Sequence, residues 1–254
     1  MDAKKRKTSW GKFAGWYHRM IEERGGYQKE VILPNLLRAL NIRKGEAVLD
    51  LACGQGFFAR EFFKKGARVA GVDVSEDLVE IARKNSPREI RYEIASADDL
   101  KIFKNGSADK ITVILAIQNI ENPNGVFAEC GRILKSAGEL FLVMNHPSFR
   151  IPKESEWGFD EKNKIQYRRI SRYLSEAKAK IQMSPGDRPE EYSLSFHRPL
   201  QFYFKALRAA GFCVGGLEEW ISNRKSEPGP RAAAEDRARK EIPLFLFIRA
   251  RKAD

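Results

Sequence analysis

Two carboxylates, Asp50 and Asp73, stand where they could do chemistry. Asp50 lies in the apolar run Val48-Leu49-Asp50-Leu51-Ala52, after which Cys53-Gly54-Gln55-Gly56 turns the chain into a helical pattern. Glycine in such a turn lets a ligand approach the backbone and permits a left-handed φ. A dinucleotide fingerprint would place a third glycine where Ala59 stands, and a carboxylate just before the turn would repel a pyrophosphate. Asp50 better suits a ligand with a cationic or amino group. Asp73 ends the next apolar run, Val69-Ala70-Gly71-Val72-Asp73, nineteen residues beyond Gly54. At that separation a carboxylate can accept both hydroxyls of a ribose. Its structural alternative, capping the following helix, falls better to Ser75.

Bases and nucleophiles are scarce. His146, in Met144-Asn145-His146-Pro147, is placed to act as a general base, with a satisfied structural histidine as the alternative. His197, in Ser195-Phe196-His197-Arg198-Pro199, is a second candidate. Asn119 can orient an acceptor but cannot deprotonate it. Arg150 and the cluster Tyr167-Arg168-Arg169-Ile170-Ser171-Arg172-Tyr173 can grip a carboxylate or phosphate while stacking on a planar substrate, with Arg168, Arg169 and Tyr173 as the named contacts. The same cluster would serve a nucleic-acid surface or a solvated face. Cys53, Cys130 and Cys213 lack metal-ligand spacing and cannot form a disulfide framework, and none sits in the Pro-Cys context of a cytosine C5 nucleophile. No metal is expected.

These groups need a frame. From residue 46 onward, strand-like and helix-like patterns alternate: strands at 47–52, 68–74, 91–95, 110–117 and 139–144, helices at 56–65, 76–84 and 124–134. Near-continuous apolar strands separated by helices predict a doubly wound, mostly parallel α/β sheet, whose ligands bind beyond the carboxyl ends of the strands. Residues 147–198, with Pro147, Pro152, Pro185 and Pro189, read as an insertion after the fifth strand and are expected to form a mobile lid beside that crevice. Pro199 starts an amphipathic helix that Gly211 stops. Strands at 212–220 and 244–251 follow, joined by a charged connector. The chain of 254 residues is expected to be one domain: a helical cap (1–44), a cofactor half (45–146), the insertion (147–198) and a C-terminal part (199–254).

The composition excludes dominant disorder, and no apolar run is long enough to cross a bilayer. The N-terminus has no signal-peptide pattern, so a cytoplasmic protein is expected. The net charge of +12 avoids the middle of the chain and favours an anionic partner.

The turn around Asp50 to Gly56, Asp73, the Ser96-Ala97-Asp98 segment and the strand ending at Gln118-Asn119 together resemble the class I S-adenosylmethionine-dependent methyltransferases, in particular those that methylate small molecules. The resemblance implies a seven-stranded sheet with its last strand antiparallel, and S-adenosylmethionine as cofactor, leaving as S-adenosylhomocysteine. It implies that Ala52, Gly54 and Gly56 pass along the methionine part, that Asp50 assists its ammonium group, and that Asp73, beside Val74, holds the ribose. Ser96, Ala97 and Asp98 would meet the adenine, where many relatives carry Asp-Ala. Gln118 would face the sulfur, and Tyr17 would reach over the cofactor from the N-terminal helix. The expected reaction is in-line methyl transfer to a small, planar or anionic acceptor. The alternatives are an RNA methyltransferase, or a non-catalytic module binding nucleic acid through residues Lys4 to Lys7 and the arginine cluster.

Overall fold

The computed structural model describes residues 26–182 and 192–253. Five strands of the main sheet run parallel, with the order β10-β11-β5-β4-β1-β2-β3. They are β1 (Ala47–Leu51), β2 (Arg68–Asp73), β3 (Arg91–Ile94), β4 (Ala108–Ile114) and β5 (Leu134–Asn145). β11 (Phe245–Lys252) lies antiparallel between β5 and β10 (Phe212–Trp220). The expected seven-stranded sheet with an antiparallel last strand is thus present.

The inner strands β1, β4, β5 and β11 bury both faces, so alternate residues feed two cores. Along β5, Leu140, Leu142 and Met144 join Leu49, Leu51, Phe127 and Ile248 on one side. Phe141 and Val143 join Val48, Phe58, Phe62 and Phe247 on the other. The covering helices are α1 (Leu33–Leu40), reached through a π turn at Gln28–Ile32, α2 (Phe57–Lys64), α3 (Glu76–Lys84), α4 (Pro123–Ile133) and α5 (Leu200–Ala209). Of the expected N-terminal cap, residues 26–44 are described, and Val31, Ile32, Leu36 and Leu40 pack into the second core. Tyr17 lies outside the described residues.

Two elements differ from expectation. The insertion builds two antiparallel hairpins outside the main sheet, β6 (Ser155–Asp160) with β7 (Ile165–Ile170), and β8 (Ala177–Gln182) with β9 (Tyr192–His197). The charged connector contains a helix, α6 (Ala232–Glu241), which buries only Ala234 and Ala238 and therefore shows no apolar stripe in the sequence.

Candidate active site

The carboxyl ends of β1, β2 and β4 converge on Asp50, Asp73 and the segment 115–119. Asp50 is 1% exposed. Its Oδ1 accepts a hydrogen bond from Thr112 Oγ1 at 2.7 Å, while its Oδ2 is buried with no partner among the described residues. Burial, opposed by the Thr112 bond and reinforced by the charge of Asp73, pushes the Asp50 carboxyl up to about 7. A buried carboxylate with one orphaned oxygen is poised for a cationic donor.

Asp73 is fixed by backbone donors. Its Oδ2 accepts from Gly54 N and its Oδ1 from Ser75 N, both at 2.9 Å. Burial raises its pKa, against those bonds. A carboxylate has lone pairs beyond two such bonds, so acceptance from a diol remains open. The cap of α3 is Ser75, whose Oγ accepts from Leu78 N at 3.4 Å.

In the Gly-rich turn, Gly56 packs against the protein. Gly56 takes φ +77° as the N-cap of α2, and a Cβ there would meet the Tyr92 hydroxyl at 2.3 Å. The left-handed φ expected of glycine in this turn is present, and its lack of a side chain also serves the packing of Tyr92. Gly54 adopts φ +55° and Ala52 φ +54°, so the chain bends into the left-handed region on leaving β1. Val74 follows Asp73 on the bend into α3. Cys53 is buried, and burial with the nearby Asp73 and Asp50 pushes its thiol up, so it is no nucleophile.

On the next rim, Ser96 Oγ donates to Asp98 Oδ1, and Asn122 Nδ2 donates to Asp98 Oδ2 at 3.0 Å. Ala97 beside them is buried. The chain leaves β4 earlier than expected because Leu115 turns left-handed at φ +53°. Its carbonyl accepts from Gln118 Nε2 at 2.8 Å and, weakly, from Asn119 Nδ2 at 3.5 Å. Gln118 Oε1 is buried without a partner among the described residues. Sequence reasoning missed what holds this loop. Arg198 is 5% exposed, and its Nη2 donates to the carbonyls of Ile120 and Glu121, each at 3.0 Å. Its guanidinium lies over the rings of Phe196 and Phe202, 4.9 and 5.3 Å from their centres. The signal was an arginine between His197 and Pro199 at the insertion's end, where a buried cation has no sequence signature.

The candidate bases do not line an open crevice. His146 is 3% exposed, with Nε2 at 2.7 Å from Glu219 Oε1. Its Nδ1 accepts from Ser148 N at 3.2 Å, so Nε2 carries the proton and donates it to Glu219. Burial lowers its pKa against the pull of Glu219. The expectation of a free general base thus meets a neutral ring engaged at both nitrogens. His197 is 5% exposed, and its Nε2 donates to the Tyr173 carbonyl at 2.7 Å. The expected substrate contacts divide. Arg150 and Arg168 share the wall of a cavity of about 300 Å³. Arg169 is instead exposed and paired with Glu156 at 2.8 Å, and the Tyr173 hydroxyl accepts from Leu200 N at 3.0 Å at the start of α5. The reason is strand alternation: neighbours on β7 point to opposite faces.

Comparison with known proteins bears on the domain and the fold. A family described as a methyltransferase domain matches residues 49–142. The ubiquinone biosynthesis O-methyltransferase of Xanthomonas oryzae is 33% identical over 101 residues, 39% of this chain and 42% of that protein. The protein of the same name from Nitrosococcus oceani is 33% identical over 139 residues, covering 52% and 58%. The chain thus spans about half the length of these curated relatives. Among solved structures, an S-adenosylmethionine-dependent methyltransferase from Mesorhizobium loti superposes with a TM-score of 0.68 at 26% identity, covering 86% of this chain and 96% of that one. The [4+2]-cyclase SpnF shares the fold at 18% identity and a TM-score of 0.56, covering 87% and 80%, so the fold hosts other chemistry. Residues 49–142 thus match a methyltransferase domain, and the fold around them is that of the class I, Rossmann-like S-adenosylmethionine-dependent methyltransferases.

Proposed function

We propose that this protein transfers a methyl group from S-adenosylmethionine to a small-molecule acceptor. The carrying observation is the buried, unpartnered Oδ2 of Asp50, beside an Asp73 held rigid by two backbone donors. That pair suits a ligand with an ammonium group and a vicinal diol, and it disfavours a pyrophosphate. When bound, the cofactor supplies an electrophilic methyl group on a sulfonium.

Asp50, ionised, offers Oδ2 to the ammonium, and Asp73 accepts from the ribose hydroxyls. Asp98, restrained by Ser96 and Asn122, offers acceptor capacity to an exocyclic amine such as that of adenine. Gln118 and Asn119 orient the acceptor by hydrogen bonds from the segment that Arg198 fixes. With His146 engaged at both nitrogens, alignment carries the rate, and the acceptor arrives as a neutral amine or an already ionised oxygen. The relatives named as O-methyltransferases support the small-molecule reading over an RNA acceptor.

Calorimetry with S-adenosylhomocysteine and with NAD tests the cofactor, and a labelled-methyl screen of carboxylated and phenolic metabolites and RNA tests the acceptor. Preference for NAD would refute the first part. Labelling of RNA alone would refute the second.

A further inference from the structure

The turn after β5, the β6–β7 hairpin, α6 and the turn between α6 and β11 border the cavity of about 300 Å³, whose walls include Tyr27, Phe149, Arg150, Trp157, Arg168 and Arg239. We propose that this cavity binds the anionic end of a flat acceptor, a carboxylate or phosphate ester on an aromatic ring.

Three guanidiniums line it and no carboxylate does. Arg239 is neutralised by Asp236 at 3.4 Å and Glu235 at 3.7 Å. Arg168 spends its hydrogen bonds on neutral acceptors: the Phe149 carbonyl at 2.9 Å, and Ser155 through its carbonyl at 3.2 Å and its Oγ at 2.8 Å. Arg150 makes no ion pair among the described residues. Two cations therefore face one cavity whose wall holds no carboxylate, the nearby Glu156 being paired with Arg169, and each guanidinium offers a planar fork that matches carboxylate or phosphate oxygens. The crowding has a measurable sense. Desolvation in the cavity wall lowers the pKa of Arg150, part of whose side chain remains exposed, and desolvation with the charge of Arg150 lowers that of Arg168 against the pull of Glu156. An anion between them would relieve both.

The aromatic part of the ligand follows from the other walls. Trp157 is 42% exposed, with the Arg168 guanidinium 5.2 Å from its ring centre. The Tyr27 hydroxyl shares a hydrogen bond with Ser222 Oγ at 3.0 Å, which holds its ring in place. A cavity of this volume is at the small end of ligand pockets, the size of one substituted ring. It also lies on the correct side of the sheet. Phe149 packs on His146, 4.7 Å between ring centres, directly beyond the carboxyl end of β5. The Asp50 and Gln118 sites occupy the ends of β1 and β4 on the same edge. That the bound anion is the methyl acceptor rests on the function proposed above; the binding itself does not.

The test is calorimetry on the full chain with benzoate, phenyl phosphate and neutral benzyl alcohol, for wild type and Arg150→Gln, with S-adenosylhomocysteine affinity and thermal midpoint measured alongside. Expected is binding of benzoate, phenyl phosphate or both, no measurable binding of benzyl alcohol, and a 10–100-fold loss in Arg150→Gln at unchanged midpoint and unchanged S-adenosylhomocysteine affinity. The anion that binds identifies the headgroup. Binding of neither anion, equal binding of benzyl alcohol, or full retention in Arg150→Gln would overturn the proposal. Should that variant fail to fold, Trp157→Ala on the exposed wall serves, with the same loss expected. Arg150-dependent anion binding in a protein that ignores S-adenosylhomocysteine would keep this site and refute the methyl-transfer reading.

Discussion

Replacing Asp50 by asparagine should stabilise the free protein, and by an amount that grows with pH. The Asp50 carboxyl is held at about 7 in the fold, against 3.8 for the ordinary group. Because the folded pKa is raised, the native state binds more protons than the unfolded chain between those values. Its contribution to stability is therefore full below about 3.8 and is lost as pH rises through about 7. Integrating the linkage between pH 5 and pH 8 gives a loss of about 2–3 kcal/mol for the wild type. Asparagine keeps the acceptor for Thr112 and carries no charge, so it escapes that loss, although its amide nitrogen then occupies the place of the unpartnered Oδ2. The melting advantage of Asp50→Asn over wild type should therefore widen by about 5–10 °C from pH 5 to pH 8, at roughly 2–4 °C per kcal/mol for a chain of this size. Differential scanning fluorimetry without ligand measures it. A constant difference across that range would show that Asp50 is ionised at ordinary pH and would remove the argument that it awaits a cation. A second readout is independent: cofactor binding near pH 7 should release a fraction of a proton in the wild type and none in the variant, seen as a buffer-dependent binding enthalpy.

Asp73→Ala should weaken S-adenosylhomocysteine binding by about 2–4 kcal/mol through lost charge-assisted bonds; unchanged affinity by calorimetry would contradict the ribose role. His146→Ala should lower turnover less than tenfold while costing about 1–3 kcal/mol of stability, because it strips the ring that holds Ser148 N and Glu219. A fall in turnover of about 10²–10⁴ would instead restore His146 as the base. Since burial depresses the His146 pKa, its neutral form stabilises the fold above the ordinary value of 6.5, and that stability should fade as pH falls below it. An acid melt that is identical in wild type and His146→Gln would count against this. Amides of residues 155–170 should exchange faster than those of β5 in the free protein and slow on binding of cofactor and acceptor together; equal protection in both states would make the hairpin a fixed layer.

The inner strands were legible in the sequence because burying both faces leaves unbroken apolar runs, and α3 ends where the pattern puts it while β2 stops one residue short. Asp50 and Asp73 were legible for a different reason: each interrupts or ends such a run, and a charge there demands an explanation. What escaped was written in weaker signals. Leu115-Ala116-Ile117 continues the apolar run of β4, yet the left-handed Leu115 ends the strand and Ile117 is buried from a 3₁₀ turn. No pattern of residue types separates those outcomes. The hairpins of the insertion alternate charged and apolar residues on short strands with one face in water, and the prolines around them masked that period. For His146 the position was right and the surroundings decided its chemistry, since Glu219 comes from β10, far along the chain.

The hairpins of the insertion leave the pairing of the main sheet untouched. The chain departs after Asn145, paired with Phe245, and re-enters at Leu200, with Arg198 pinned to the loop after β4 at the return point. Between those anchors, substitutions and changes of length need not disturb the register that places Asp50 and Asp73. On the function proposed above, the donor carboxylates and the Arg150–Arg168 part of the acceptor cavity are thus written in separate stretches of one gene, free to change at different rates. By the same reading, carrying Phe149–Ile170 together with the α6 residues that close the cavity onto another chain of this architecture would change what is methylated while leaving Asp50 and Asp73 as they are.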